Sequence, residues 1–313
     1  MQNIAIGVSS CLLGHEVRYD GGHKYHSYIE KTLGKFFSLR PFCPEAASGM
    51  GVPRPAIQLR RVAGETRAVG VKDATLDATD NLRRTSELQA DWLRGVCGYI
   101  LKKDSPSCGM ERVRVYQGEA ATRNGVGVFA EYLQQAFPEL PLEEEGRLGD
   151  PGLRENFVSR VYVYARWRDL RAEGLSVNGL MTFHSRHKLI AMSHNQSATR
   201  ELGRLAASAD TENLEEVADR YFCRLMTCLK RLATRKNHVN VLQHIQGYLK
   251  TKLDAGDKQE LCEAIENYRL GLTPLIVPIT LLRHHFRRQP DPFIERSYYM
   301  TPHPGELALL NDI

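Results

Sequence analysis

The sequence predicts two domains of different class: an α/β domain with a mainly parallel sheet over residues 1–150, and an all-α domain over 151–313. Three observations predict this. Up to about residue 140, short β-type runs alternate with helical ones, the pattern of a parallel sheet with crossover connections. Residues 138–152 then carry Pro138, Pro141 and Pro151, the acidic run Glu143-Glu144-Glu145, and Gly146 and Gly149, which reads as a domain exit. Beyond it the apolar period is helical and stays so. A chain of 313 residues is long enough for two such cores.

Taken in order, the apolar run Ile4 to Val8 is a strand that hands over to Ser9-Ser10-Cys11, and residues 25–35 have helical spacing. Phe36 to Leu39 is a second run, before Pro41-Phe42-Cys43-Pro44-Glu45. Gly49 and Gly51 with Pro53-Arg54-Pro55 make a stiff loop. Residues 78–94 read as a helix, Gly98 to Leu101 as a strand before Asp104-Ser105-Pro106-Ser107-Cys108-Gly109, 113–116 as a further strand and 126–137 as a helix. The second half predicts helices at about 153–170, 177–206, 211–235, 238–253, 256–270 and 275–288. The third of these opens on Asp210-Thr211, with Glu212, Glu215 and Glu216 at its positive end. Its apolar stripe is Leu214, Val217, Tyr221, Leu225, Cys228, Leu229 and Leu232.

Charge and cysteine usage narrow the classes. Residues 1–150 balance 19 Lys+Arg against 19 Asp+Glu, so the net charge of +5 lies wholly in the second half, a bias compatible with nucleic acid that does not by itself select it. The start, Met1-Gln2-Asn3-Ile4, has no basic or long apolar leader, and the apolar stretch 275–282 is broken by Pro278 and Thr280. A cytoplasmic protein with no membrane partner is expected. Seven cysteines without a paired framework are expected to be reduced.

Cys11, Cys43 and Cys108 each follow a predicted strand, and ligands of open α/β sheets bind at the carboxyl ends of strands, so three distant thiols can meet in one site. Their polar, turn-forming surroundings suit metal ligation. Inert burial is the plainer alternative, and without a CxxC pair the spacing names neither zinc nor iron. Cys97, Cys223, Cys228 and Cys262 lie in apolar patterns and read as core. Glu45 is the carboxylate beside Cys43 and a candidate proton carrier, or else a local helix cap. Ser105 could orient water or simply start a turn. Arg54 could meet a polar or phosphate-bearing ligand. Asp20, in Arg18-Tyr19-Asp20-Gly21, reads as a turn residue serving local backbone donors.

In the second half Arg220, Arg224, Arg231 and Arg235 fall on one face of the helix predicted over 211–235, flanked by Lys230 and Lys236. Further basic clusters occur at Arg283 to Arg288, ahead of Tyr298-Tyr299, and at Phe183-His184-Ser185-Arg186-His187-Lys188. Guanidinium groups with aromatics suit RNA backbone and splayed bases, although a charged face is often merely solvated. The histidines at 184, 187, 284 and 285 lack partners at metal spacing and read as structural.

The loops Ser9-Ser10-Cys11-Leu12-Leu13-Gly14, Cys43-Pro44-Glu45 with Gly49-Met50-Gly51-Val52-Pro53-Arg54, and Lys103-Asp104-Ser105-Pro106-Ser107-Cys108-Gly109 resemble the thiouracil desulfidase family over roughly residues 1–150. The resemblance implies a 4Fe-4S cluster held by Cys11, Cys43 and Cys108, with Glu45 and Ser105 as the catalytic pair. Phe183-His184, Asn240-Val241-Leu242 with His244, Gly247-Tyr248 and Pro274-Leu275-Ile276-Val277-Pro278 are similar to an all-helical domain of unknown function often fused behind that module. Such fusions look like bacterial desulfidases acting on 4-thiouridine in tRNA, which implies tRNA as partner and uridine and sulfide as products, with Arg54, Arg224, Arg231 and Arg235 as substrate contacts. Free thiouracil or a thionucleoside is the alternative substrate, and a metal-bearing nucleic-acid sensor the non-enzymatic alternative. The reverse reaction, thiolation, is disfavoured because no GxxxxGK[ST] nucleotide loop is present. The oligomeric state is not set by the sequence.

Overall fold

The run after Ile4 forms β1 (Ala5–Ser9), buried at every position. It is the centre of a four-stranded sheet of order β2-β1-β5-β8, with β2 at Ser38–Phe42, β5 at Tyr99–Leu101 and β8 at Leu142–Glu144. All three pairings are parallel, Gly7 lying opposite both Arg40 and Tyr99. A Cβ on Gly7 would stand 2.3 Å from the Tyr99 ring, so this strand crossing needs glycine. The fold class expected from the sequence is the one found. The computed structural model describes residues 4–307 and 309–310, which divide into the units Met1–Asp150 and Pro151–Ile313.

Several elements of the first unit differ from expectation. The expected helix over 25–35 is found in shorter form, as a π-helical turn, Tyr28–Thr32, running into a 3-10 turn, Leu33–Lys35, with only Ile29 and Leu33 buried. A second sheet, not anticipated, has the order β4-β3-β6-β7, with β3 at Ile57–Val62, β4 at Glu65–Gly70, β6 at Val113–Gln117 and β7 at Ala120–Gly125. β3 and β4 are antiparallel about Ala63-Gly64, both at positive φ, the backbone that a two-residue hairpin needs. Ile57, Leu59, Val113 and Val115 turn inward against α1 (Thr79–Glu87) and α3 (Val128–Ala136). The helix predicted over 78–94 is interrupted, α2 (Ala90–Arg94) starting after the exposed Leu88.

The second unit is helical: α4 (Pro151–Glu173), α5 (Val177–His194), α6 (Gln196–Ala207), α7 (Leu214–Leu229), α8 (Arg235–Gly247), α9 (Ala255–Leu270), α10 (Ile276–Arg288) and α11 (Pro292–Arg296). Its core is centred on Trp167, stacked on Phe222 at 4.7 Å, with Tyr221, Leu225 and Leu229 of the predicted stripe. The segment 177–206 is two helices because Asn195 leaves helical geometry and its side chain accepts the Ala198 N–H. Likewise α7 stops at Leu229, and Thr234 caps α8 by accepting the Asn237 N–H at 3.2 Å. Arg231 and Arg235 are therefore not on the helix that carries Arg220 and Arg224, and Leu232 is exposed. Cys97 and Cys228 are buried as expected, whereas Cys223 and Cys262 are exposed on their helices. Among the described residues no helix is long and apolar enough to cross a membrane.

Candidate active site at the strand ends

The neighbouring strands β2, β1 and β5 each deliver one cysteine from the carboxyl end. Cys11 sits in the tight turn Ser10–Leu13 directly after β1, Cys43 follows Phe42 at the end of β2, and Cys108 closes the loop after β5. That last loop is pinned from two sides. Ser105 Oγ accepts the Cys108 N–H at 3.1 Å and the Ser107 N–H at 3.3 Å. The first turn of α3 donates from Val128 and Phe129 to the Pro106 and Ser107 carbonyls. A Cβ on Gly127 would lie 2.6 Å from the Ser107 carbonyl, so α3 can start against the loop only with glycine there.

The three cysteines line one cavity of about 410 Å³, together with Glu45, Arg54, Ser105 and Ser107, and with Arg18, Lys24, Lys102 and Lys103 supplying positive charge. Burial, then the neighbouring Cys43 thiol, pushes Cys11 up to about 11, Lys102 and Arg18 opposing. Burial raises Cys43 and, further still, Cys108, where Cys43 adds to the effect. The phenol of the fully buried Tyr99 is raised by burial and then by Cys108, Cys43 and Cys11. Three thiols lining one cavity, whose thiolate forms would repel one another, stay protonated unless a cation replaces the protons, as metal binding does. Among the described residues no three His, Cys, Asp or Glu side chains crowd closely enough to share a single metal ion. The donor set, three thiols spread around one cavity, thus fits a group of several atoms better than one ion.

Glu45 is not a local cap, since its side chain makes no capping bond and turns inward instead. Arg54 donates to its Oε2 from Nε at 3.0 Å and Nη2 at 2.7 Å, and to the Val17 and Gly51 carbonyls. Ser107 donates to its Oε1 at 2.6 Å. Ser105 and Ser107 hydroxyls are 3.0 Å apart. With the Ser107 proton directed at Glu45, the Ser105 hydroxyl donates to Ser107, giving a chain from Ser105 through Ser107 to the carboxylate. Ser107 is the functional residue that the sequence does not single out; its place beside Cys108 is the one local signal. Arg54 spends its guanidinium positioning Glu45, and Asp20 accepts the Gly22 N–H as a turn residue.

The remaining residues singled out by the sequence lie in the helical unit. Arg224 and Arg231 line one groove of about 660 Å³ with Arg204 and Arg220, between α6 and α7. Arg235 lies elsewhere, over the ring of Tyr268 at 5.7 Å.

Comparison with known proteins matches the family model described as 2-thiouracil desulfurase to residues 6–145, the stretch that contains all three cysteine loops. The chain belongs to the 2-thiouracil desulfurase family. Behind the desulfurase unit, residues 188–304 match a second model, a protein of unknown function designated DUF1722. Similar relatives are the uncharacterized protein YbgA of Escherichia coli strain K12, 31% identical over 50% of this chain and 92% of that protein, and the uncharacterized protein YbbK of Bacillus subtilis strain 168, 33% identical over 41% of this chain and 89% of that one. A solved structure described as the [4Fe-4S]-dependent thiouracil desulfidase TudS is 33% identical, covering 47% of this chain and 95% of its own, with a TM-score of 0.39.

Proposed function

We propose that this desulfurase removes sulfur from 4-thiouridine in tRNA, giving uridine and sulfide, with a 4Fe-4S cluster held by Cys11, Cys43 and Cys108. One observation carries the reading: a carboxylate fixed by a buried guanidinium and a serine hydroxyl lines the same cavity as three free thiols. When bound, a cluster with only three protein thiolates supplies one open iron, a soft Lewis acid suited to the sulfur of a thiocarbonyl.

The protein's own groups do the proton work. Arg54 and Ser107 hold the Glu45 carboxylate still; Oε2 accepts two bonds from Arg54, while Oε1 accepts one from Ser107 and keeps a lone pair free. Glu45 takes a proton from water as the C–O bond forms at C4 of the pyrimidine. The Ser105–Ser107 pair offers a path by which that proton returns to the departing sulfur. The C–S bond breaks, sulfur leaves as sulfide, and no net electron is exchanged. Lys102 is held by Glu145, so it lines the site as an ordered cation rather than a mobile one. In the helical unit the groove lined by Arg204, Arg220, Arg224 and Arg231, with Glu201 the one acidic side chain among its lining residues, offers guanidinium groups to an RNA backbone.

Free 2-thiouracil is the second reading, favoured by the family's description and by a cavity of about 410 Å³, ample for a single base. Anaerobic reconstitution with iron and sulfide, followed by incubation with thiolated tRNA and separately with 2-thiouracil, decides between them. Loss of thiouridine absorbance with sulfide release from tRNA, at a kcat/KM well above that for the free base, is the expected result. Turnover of the free base alone would replace the tRNA reading, and turnover of neither would remove the enzyme.

A further inference from the structure

Of the buried polar atoms in the helical unit that have no hydrogen-bond partner among the described residues, three belong to side chains lining one cleft of about 510 Å³: Arg166 Nη1, Arg186 Nε and His187 Nε2. The cleft is built on Tyr298. Arg166 lies flat over its ring, Cζ 3.6 Å from the centroid, with Arg186 at 5.6 Å and the His187 ring at 4.9 Å. The two guanidinium groups are held in place, Arg166 Nη2 donating to the Pro302 carbonyl at 2.6 Å and Arg186 Nη1 to the Tyr298 hydroxyl at 3.2 Å. Neither pairs with a carboxylate among the described residues. Burial pushes Arg166 down to about 10, with Arg186 adding to the effect. Two stacked cations facing a cleft with no carboxylate paired to either call for an anion.

His187 specifies a second group. It is 1% exposed, and its Nδ1 lies 2.8 Å from the Phe183 carbonyl, which can only accept, so Nδ1 carries the proton. The neutral ring then presents Nε2 as a bare acceptor. Burial and the two arginines hold the ring neutral, down to about 3. The site thus asks for acceptors on an anion and, beside them, a hydroxyl that donates. A carboxylate offers the first and not the second; inorganic phosphate keeps a P–OH donor but is largely a dianion near neutral pH. Asp169 and Glu173, on the same helix α4 as Arg166, also line the cleft and disfavour a dianion, so a singly charged diester suits it better than a monoester.

We propose that the cleft formed by Arg166, Arg186, His187 and Tyr298 binds one ribonucleotide unit, the guanidinium groups taking its phosphodiester and His187 Nε2 accepting from its 2′-hydroxyl. It is separate from the α6–α7 groove and stands whether or not the chain is a desulfidase.

The test uses the full chain and four probes: the dinucleotide UpU, its 2′-deoxy counterpart, UMP and inorganic phosphate, with binding followed by calorimetry. UpU should bind at least tenfold more tightly than the deoxy dinucleotide and than phosphate, and Arg186→Met should weaken it by roughly ten- to hundredfold. To keep the outcome independent of any change in the variant's packing, the wild-type His187 imidazole signals are also followed by 15N NMR, where UpU should shift Nε2 and the deoxy dinucleotide should not. Equal binding of the two dinucleotides, a silent Nε2, or affinity unchanged in Arg186→Met each overturns the proposal. UMP matching UpU would identify a free nucleotide as the source of the unit, whereas UpU ahead of UMP identifies an RNA chain; phosphate matching UpU contradicts the hydroxyl interaction and sinks the proposal.

Discussion

Ser105 and Ser107 are two residues apart in one loop, yet the structure gives them different work, and substituting each by alanine separates the two roles. Ser107 Oγ donates a 2.6 Å bond to the buried Glu45 carboxylate. A hydrogen bond to a charged group contributes about 1.5–3 kcal/mol, so if the bond is needed while Glu45 handles its proton, Ser107→Ala should slow the chemical step roughly ten- to hundredfold. Its backbone N–H and carbonyl contacts, and those of Cys108, are untouched, so iron content should stay at the wild-type level. Ser105 Oγ instead accepts the N–H groups of Ser107 and Cys108, so Ser105→Ala frees the turn that presents the Cys108 sulfur. That variant should lose iron faster on exposure to a chelator as well as losing rate. The assay is single-turnover sulfide release, normalised to iron per chain, with the chelation half-life measured in parallel. Wild-type turnover per cluster in Ser107→Ala, or iron loss from Ser107→Ala at the rate found for Ser105→Ala, would refute this division of labour.

Three further outcomes are expected. Glu45→Ala should keep its cluster, since no thiol is touched, and lose about a hundred- to ten-thousandfold in turnover, as removal of a general base does; wild-type rates at full iron loading would take Glu45 out of the chemistry. The double charge reversal Arg224→Glu and Arg231→Glu should weaken tRNA binding and flatten its salt dependence by about one unit of slope for each phosphate no longer neutralised, leaving turnover of free 2-thiouracil alone; an unaltered salt slope would move the RNA interface off this groove. Acid should destabilise the helical unit through His187, whose folded value of about 3 lies below the ordinary 6.5. The unfolded chain therefore takes up the proton first: the stability is fully present above pH 6.5 and is lost progressively as pH falls toward 3, about 2 kcal/mol of it by pH 5. Urea midpoints at pH 7.5 and 5 measure this, and His187→Gln should reduce the difference by about that amount, with His184, His194 and His238, also held low by burial, supplying the rest.

The fold class and the meeting of the three cysteines were legible because both are local signals. Each cysteine follows a short apolar run and sits in a polar turn, and strand ends of a parallel sheet gather by topology. What was not legible depends on contacts between distant positions. Ser107 reaches Glu45 across 62 residues, and locally only its place beside Cys108 distinguishes it from Ser105. The hairpin of β3 and β4 was hidden because Arg60, Arg61 and the Ala63-Gly64 turn dilute the apolar alternation of Ile57 and Leu59. The arginine face predicted over 211–235 assumed one helix. Thr234, a good cap, begins a new one, which removes Arg235 from that face; the groove has Arg204 of α6 beside Arg220, Arg224 and Arg231. Asn195 splits 177–206 by the same means, within the polar run Ser193 to Ser197, a signal that the helical period outweighed.

The measurement that bears most directly on the central claim is iron and acid-labile sulfide per chain, with the EPR and Mössbauer spectra, for anaerobically reconstituted wild type and for Cys11→Ser, Cys43→Ser and Cys108→Ser. A cluster held by these three thiols requires about four irons and four sulfides per wild-type chain, with one distinct iron site, and loss of that cluster in each variant. A wild-type chain that takes up a single zinc in its place, or a fully loaded cluster in any one of the three variants, would contradict it.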